Sequence, residues 1–191
     1  MTQLYFNDDS YYLEPLSSLN MSPAYPGWLN DQNINQFLEC RFAKHSRRSC
    51  EAYIDECAEK GDRLFGIFES NCDAHIGNIK LCGINHIHNR AQVSLFLGDR
   101  SYWNRRVASG ALNAIVNFSF NELKLMKLEA GCHERNISSL RLFRSLSFDI
   151  SGFFPAHSIT DDGGYVGCFW FSRVNDAALL EAQKSRFLDD E

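Results

Sequence analysis

Between Arg63 and Asp99 the chain carries three β-rich apolar segments joined by two turns too short to carry a crossover. The segments are RLFGIFES (Arg63–Ser70), HIGNIKLCGI (His75–Ile84) and QVSLFLGD (Gln92–Asp99), and the turns are SNCDA and NHIHNR. Parallel partners need a connection of a dozen or more residues, so strands joined this closely pair antiparallel. YYLEPLS (Tyr11–Ser17) reads as an earlier strand ending near Pro15, after which SPAYPGWLND punctuates the chain. WLNDQNINQFLE (Trp28–Glu39) predicts a helix with Leu29, Ile34, Phe37 and Leu38 inward. SRRSCEAYIDECAEK (Ser46–Lys60) predicts a second, with Ser46 as N-cap and Gly61 as its stop.

Downstream, strands and helices alternate. Val107–Leu123 is the longest helical pattern, with Ala111, Leu112, Ile115, Val116 and Phe118–Phe120 giving a broad apolar face. KLEAGCH (Lys127–His133) reads as a strand and NISSLRLFRSLSF (Asn136–Phe148) as a helix. SFDISGFFP and GYVGCFWFSRV read as two closing strands, and NDAALLEAQKSRFLDDE as a terminal helix. This order predicts an α/β (α+β) chain: a mixed, mostly antiparallel central sheet of about seven strands with helices on both faces. No internal repeat or long linker interrupts it. Residues 1–191 are therefore expected to form a single domain, with a core at about 11–174 and a tail at 175–191.

At 191 residues, 45% of them hydrophobic, the chain can bury a sizeable core. Its formal net charge of −5 gives no basic excess for non-specific nucleic-acid binding. The apolar runs fall short of the ~20 residues a membrane-spanning helix needs. MTQLYFNDDSYY lacks the charged start and apolar stretch of a secretory signal, so no membrane association is expected. Seven cysteines without a CxxC pair predict reduced, mostly buried thiols and a cytoplasmic protein. The His86–His88 pair is expected on one face of a strand or its turn, and no metal site is expected.

YWNRRVASGAL (Tyr102–Leu112) begins like a phosphate-cradling turn and continues as an amphipathic helix. Backbone that hugs a phosphate usually has glycine at its tightest point, yet Arg105 and Arg106 stand here. The stretch is either a nucleotide-cofactor site with substitutions or a solvated basic helix start. Together with the element order and NISSLRLFRSLSF, it resembles the GCN5-related N-acetyltransferase (GNAT) family from about Tyr11 to Arg173. The likeness is nearest to the subgroup of ribosomal-protein and amino-sugar acetyltransferases. In the family's Trp-Gly-x-Gly-x-Ala/Gly pattern, Trp103, Val107, Ala108, Ser109, Ala111 and Leu112 fit, while Asn104 and Arg106 occupy the glycine positions. In its second motif Asn136, Ser139 and Phe148 fit, Phe143 replaces the frequent tyrosine, and Ser147 replaces glycine.

The resemblance implies acetyl-CoA as co-substrate and no metal. It puts the pantetheine against the backbone of Ser94, Leu95, Phe96 and Leu97, in a cleft where two central strands splay apart. The pyrophosphate would meet the helix start from Arg105, Arg106 and Val107 through Ala108, Ser109 and Gly110. Asn136, Ser139 and Phe143 would lie along the same cofactor. A Cβ at Arg106 is expected to widen or shift the phosphate site, with the two guanidinium groups compensating. For the chemistry, His133 and Glu134 are the candidate bases; their alternative is a polar surface pair or a polar cluster at the helix start. Phe143 has no proton to give, so Ser139, or its neighbour Ser138, is the candidate proton source for the thiolate.

For the acceptor, YPGWLNDQNINQFLECRF resembles a helix of relatives that acetylate amino sugars on nucleotide carriers. Trp28 would stack on sugar or base, with Asn30, Asp31, Asn35 and Arg41 offering polar contacts. The alternative has Trp28 sealing the core and Asn30–Asp31 capping a turn. Phe153, Phe154, His157 and Tyr165, beside the turn TDDGG, would shape the far wall. The expected acceptor is thus a small-molecule amine, with a nucleotide sugar first. A protein N-terminus, a polyamine or amino acid, and a non-catalytic CoA-binding role are the alternatives. The chain is expected to be a monomer, or a homodimer paired through its apolar closing strand.

Overall fold

The computed structural model describes residues 3–160 and 163–180. The elements are β1 (Leu4–Phe6), β2 (Tyr11–Pro15), α1 (Tyr25–Asn30), α2 (Gln32–Asn35), α3 (Arg47–Glu59), β3 (Arg63–Glu69) and β4 (Ala74–Asn85). Then come β5 (Arg90–Leu97), α4 (Val107–Asn121), β6 (Lys127–His133), α5 (Ile137–Ser145), β7 (Asp149–Ile159) and β8 (Tyr165–Val174). Eight strands hydrogen-bond in the order β1-β2-β3-β4-β5-β6-β8-β7. β5 and β6 pair in parallel, whereas β1–β2, β2–β3, β3–β4, β6–β8 and β7–β8 are antiparallel. The expected count of about seven is one short, and β1 is the addition. The sheet is mixed and mostly antiparallel, as the short turns required.

The chain clusters into two compact units, one running to Gly83 and again from Val93 to Ile115, the other from Ile84 to Gln92 and from Val116 onward. In the first, Tyr12, Leu16, Met21, Tyr25, Leu29 and Phe68 are buried with Cys50, Ile54 and Cys57 of α3. Full burial of each large apolar side chain contributes roughly 1.5–3 kcal/mol. The Ser46 side chain accepts from Ser49 N–H in a capping box, as expected of that N-cap. At the other end Gly61, at φ 74, lets Asp62 N–H reach Cys57 O (2.9 Å) and Gly61 N–H reach Ala58 O (3.1 Å). This is a Schellman ending.

The helix expected over Trp28–Glu39 is not continuous. Asp31 is extended (φ −89, ψ 115) and its carboxylate accepts Asn33 N–H, so it ends α1 and caps α2. A short aspartate side chain that competes for backbone N–H groups breaks a helix where apolar periodicity alone would carry it on. Pro26 in the first turn of α1 also moves the start back to Tyr25.

In the second unit β6 lies against β8 from Lys127↔Val174 to His133↔Cys168. Leu125, Leu128, Phe143, Phe148 and Phe171 fill its core. β7 is an edge strand, nearly all exposed, with register shifts between Ile150 and Gly152 and between Phe154 and Ser158. Residues 176–180 are helical. The rest of the tail, and Asp161 and Asp162 of the expected turn, lie outside the described residues.

Candidate active site

In the first unit, several contacts pin the loop that leads into α4. Gly98 and Asp99 both donate their N–H to Ile76 O (2.9 and 3.1 Å). Asp99 accepts from Ser101 N–H and Oγ–H (2.9 and 2.7 Å), and Trp103 Nε1–H donates to Leu97 O (3.1 Å). Gly77 is what allows the β5 end so near, since a Cβ there would lie 2.5 Å from Phe96 O. Of the four β5 residues singled out, Ser94 is exposed and Leu95, Phe96 and Leu97 are half-buried. The parallel ladder with β6 ends at Gln92, two residues before Ser94.

Asn104 and Arg106 both adopt left-handed backbone, at φ 61 and 60. The two positions where the family pattern has glycine therefore keep glycine's conformation while carrying side chains. Left-handed backbone costs a long side chain such as Arg106 roughly 1 kcal/mol or more. The first helical bond of α4 runs from Gly110 N–H to Arg106 O (3.0 Å), and Ser109 Oγ–H reaches the same carbonyl (2.9 Å). Val107, Ala108 and Ser109 precede that bond, so their N–H groups are the donors a helix start offers to an anion. Arg105 and Arg106 are exposed beside them, and Val107 is buried beneath. Arg105 lies over the Tyr102 ring (5.7 Å), whose hydroxyl donates to Glu69 Oε2 (2.7 Å). That bond, then the Cys72 thiol and the Arg105 charge, hold the Glu69 carboxyl below its usual range; Tyr102 is pushed up to about 12.

Three of the residues expected to meet an amino sugar, Trp28, Asn30 and Arg41, bond or pack within the protein. Trp28 packs against His75 (5.3 Å) and Tyr25 (6.1 Å) and covers Gly98. Asn30 Nδ2–H donates to Pro26 O (2.7 Å) and His45 O (2.8 Å), and Asn30 Oδ1 accepts His45 N–H (2.9 Å). Arg41 donates to Leu38 O (2.9 Å), and its side chain is only 4% exposed. Tyr165, in the second unit, is exposed.

In the second unit, β6 ends at His133 and α5 opens with Asn136. Asn136 Oδ1 accepts Ser139 N–H (3.1 Å), which makes Asn136 the N-cap of α5. His133 Nδ1 accepts Arg135 N–H (3.3 Å), which puts the proton of the neutral ring on Nε2. Glu134 grips Gly167 twice, its carboxylate accepting Gly167 N–H (2.6 Å) and its own N–H donating to Gly167 O (2.9 Å). Phe143 is 3% exposed, with its ring 5.3 Å from Phe148 and 5.5 Å from Phe171. It is packed in the core of this unit. The Ser139 side chain is half-buried.

Two features escaped the sequence reading. Asn7, in the β1–β2 turn, donates Nδ2–H to Arg106 O (3.3 Å); NDDS between LYF and YYLEP was the hairpin signal for it. Buried His75 accepts Ser22 N–H at Nδ1 (3.0 Å) and contacts Asn78 Oδ1 through Nε2 (2.7 Å), and burial lowers its pKa. The β3–β4 bulge places both side chains on one face.

The acetyltransferase (GNAT) domain profile matches residues 12–149, well over half the sequence. The chain belongs to the GNAT acetyltransferase family. It is 34% identical over 123 residues to the Uncharacterized N-acetyltransferase p20 of Bacillus licheniformis, covering 63% of this chain and 65% of that one. It is 28% identical over 103 residues to the spermidine N(1)-acetyltransferase of Escherichia coli K12, covering 53% of each. These matches span only about half to two thirds of the curated relatives. GNAT folds also superpose on it over most of their length. A ribosomal L7/L12 α-N-protein acetyltransferase, RimL, in complex with coenzyme A gives a TM-score of 0.81 at 17% identity, covering 92% of this chain and 99% of that one. The Vibrio cholerae spermidine N-acetyltransferase with CoA and spermine gives 0.78 at 18% identity, covering 89% and 98%. Among the described residues no helix is long and apolar enough to cross a membrane.

Proposed function

We propose that this GNAT chain is an acetyl-CoA-dependent N-acetyltransferase acting on the primary amine of a small cationic acceptor, a polyamine first. One observation carries the cofactor part: the α4 start keeps left-handed backbone at Asn104 and Arg106 although neither is glycine. Strained backbone of this kind persists where the surroundings over-determine it, and such places cluster at ligand sites. The N–H groups of Val107, Ala108 and Ser109, the helix dipole and the exposed Arg105 and Arg106 suit a diphosphate. The residues present fit the group.

Acetyl-CoA supplies an activated acetyl thioester. The chain's residues then have two protons to manage: one leaves the attacking amine, and one reaches the thiolate as the C–S bond breaks. Ser139 is the proposed donor to the thiolate, its N–H fixed by Asn136 while its hydroxyl stays on the helix's first turn. His133 is the proposed acceptor of the amine proton at Nδ1, which gives up Arg135 N–H to take it, leaving the ring protonated on both nitrogens. Glu134 is proposed as a positioning group, since its carboxylate holds Gly167.

An amino-sugar acceptor loses its support, because Trp28, Asn30 and Arg41 all serve packing or backbone bonds. A cationic amine is favoured by the acidic balance of the chain, 24 Asp and Glu against 19 Lys and Arg, and by the 28% identity to a spermidine acetyltransferase. Seven free thiols support a cytoplasmic setting. Calorimetry with CoA, then thiol release with acetyl-CoA and spermidine, an N-terminal peptide or a UDP-amino sugar, tests the reading. Turnover of spermidine is expected. Turnover of the peptide alone moves the acceptor to a protein N-terminus, and absence of CoA binding sinks the enzyme reading.

A further inference from the structure

The β1–β2 hairpin does more than extend the sheet. Its tip carries three consecutive non-glycine residues in left-handed backbone, Asn7, Asp8 and Asp9, at φ 52, 53 and 61. Such a run survives only when neighbours hold it. Here Ser10 N–H donates to Asn7 O (3.1 Å), Ser70 N–H donates to Ser10 O (3.0 Å), and Tyr11 meets Tyr102 edge-on (6.3 Å). The tip presses on α4 at two points. Asn7 Nδ2–H reaches Arg106 O (3.3 Å), and Gly110 lies so near that a Cβ there would fall 2.5 Å from Asn7 Oδ1 and Phe6 Cδ2.

We infer that Asn7 is a positioning residue for cofactor binding, acting through the Arg106–Val107 peptide. This rests on the reading that the α4 start holds the cofactor's pyrophosphate. A trans peptide is planar, so its carbonyl and its N–H point in opposite directions as one rigid unit. An amide that fixes Arg106 O on one side therefore aims Val107 N–H on the other. Gly110 N–H (3.0 Å) and Ser109 Oγ–H (2.9 Å) hold the same carbonyl from within α4. Asn7 adds a donor from outside the helix, bracing a plane that left-handed Arg106 does not hold by its own preference. Asparagine suits the post twice, because it tolerates left-handed backbone and carries a donor. Gly110 completes the clamp by letting the hairpin sit against the helix.

The test uses the full chain and two variants. Asn7→Asp keeps shape and backbone but turns an acceptor toward Arg106 O; Asn7→Gly keeps the backbone and removes the donor. Amide exchange of Val107–Gly110 in the cofactor-free protein reads the clamp alone. CoA affinity and the KM values read its consequence. Both variants should exchange faster at these amides and bind CoA more weakly, Asn7→Asp by about tenfold, the scale of one lost hydrogen bond. The acceptor KM and kcat should stay within about twofold, and Tm should barely move. Unchanged exchange overturns the clamp, and faster exchange with unchanged CoA affinity overturns its role in binding. Equal losses in acceptor KM and Tm show a merely structural hairpin and overturn it too. A wild-type chain that binds no CoA refutes the cofactor reading and with it the binding role, while the exchange result still separates out the clamp.

Discussion

Two helices begin in this molecule at the two motifs that drew attention in the sequence, and they begin in opposite ways. α5 closes itself: Asn136 accepts Ser139 N–H, and the helix leads at once into the buried Phe143. α4 starts from a strained arginine whose carbonyl is steadied by a residue 99 positions away. A helix start capped by its own side chain has used a donor for folding. One steadied through its carbonyl keeps its first N–H groups for something else. Family motifs mark both places alike; of the two, the α4 start is the one proposed to receive an anion.

The strongest way to break this contrast is to show that the Phe143 end of α5 is a ligand surface. Phe143→Ala should cost about 3–5 kcal/mol of stability in urea unfolding, because its ring fills the space between Phe148 and Phe171. Phe143→Tyr would put a hydroxyl into that packing and should destabilise by about 1–3 kcal/mol without faster turnover. A stable Phe143→Tyr protein with raised kcat contradicts the packing role and returns this position to the chemistry.

The caps come next. Asn136→Ala should remove about 1 kcal/mol of stability, as loss of a side-chain N-cap does, and leave CoA affinity unchanged. At α4 the matching experiment compares Arg106→Gly with Arg106→Ala. Both lose the guanidinium, so CoA affinity should fall alike. Only alanine keeps the left-handed strain, and the glycine variant should be the more stable by about 1 kcal/mol. Equal stability of the two would mean that position 106 carries no strain and that the contrast between the helix starts is one of charge alone.

How legible this was depended on where each constraint lies. β6 was read at its observed ends, because KLEAGCH carries its own alternation, and α3 was read with its Ser46 cap and Gly61 stop. Local chemistry set both. The break at Asp31 was missed because one side-chain bond outweighed a good apolar period. Asn7 was missed because its partner lies far along the chain, and three left-handed residues in a row have no signature apart from turn-prone Asn and Asp. Glu134 and Trp28 looked available for chemistry in one dimension. In three they also bond or pack against Gly167, Gly98 and His75. The residues that chemistry would choose are also those a fold can use, and only contacts made at a distance tell the two uses apart.

The smallest predicted effect probes the charge beside the α4 start. Glu69 accepts from Tyr102 and Cys72 and feels the charge of Arg105, which lies over the Tyr102 ring. Its carboxyl is therefore ionised at neutral pH, and its attraction for Arg105 would compete with a phosphate at the proposed α4 site. Glu69→Gln should strengthen CoA binding by about two- to threefold, the modest size expected of a solvent-exposed pair, and less at high salt. The sign follows from its depressed pKa. The advantage of the variant is full above the ordinary glutamate value of about 4.3 and fades as pH falls through the lower folded value, where wild-type Glu69 also becomes neutral. Calorimetry across that window checks it. If Glu69→Gln weakens CoA binding at neutral pH instead, the carboxylate is orienting Arg105 toward the phosphate through Tyr102, and the α4 start depends on a partner in β3 as well as on Asn7.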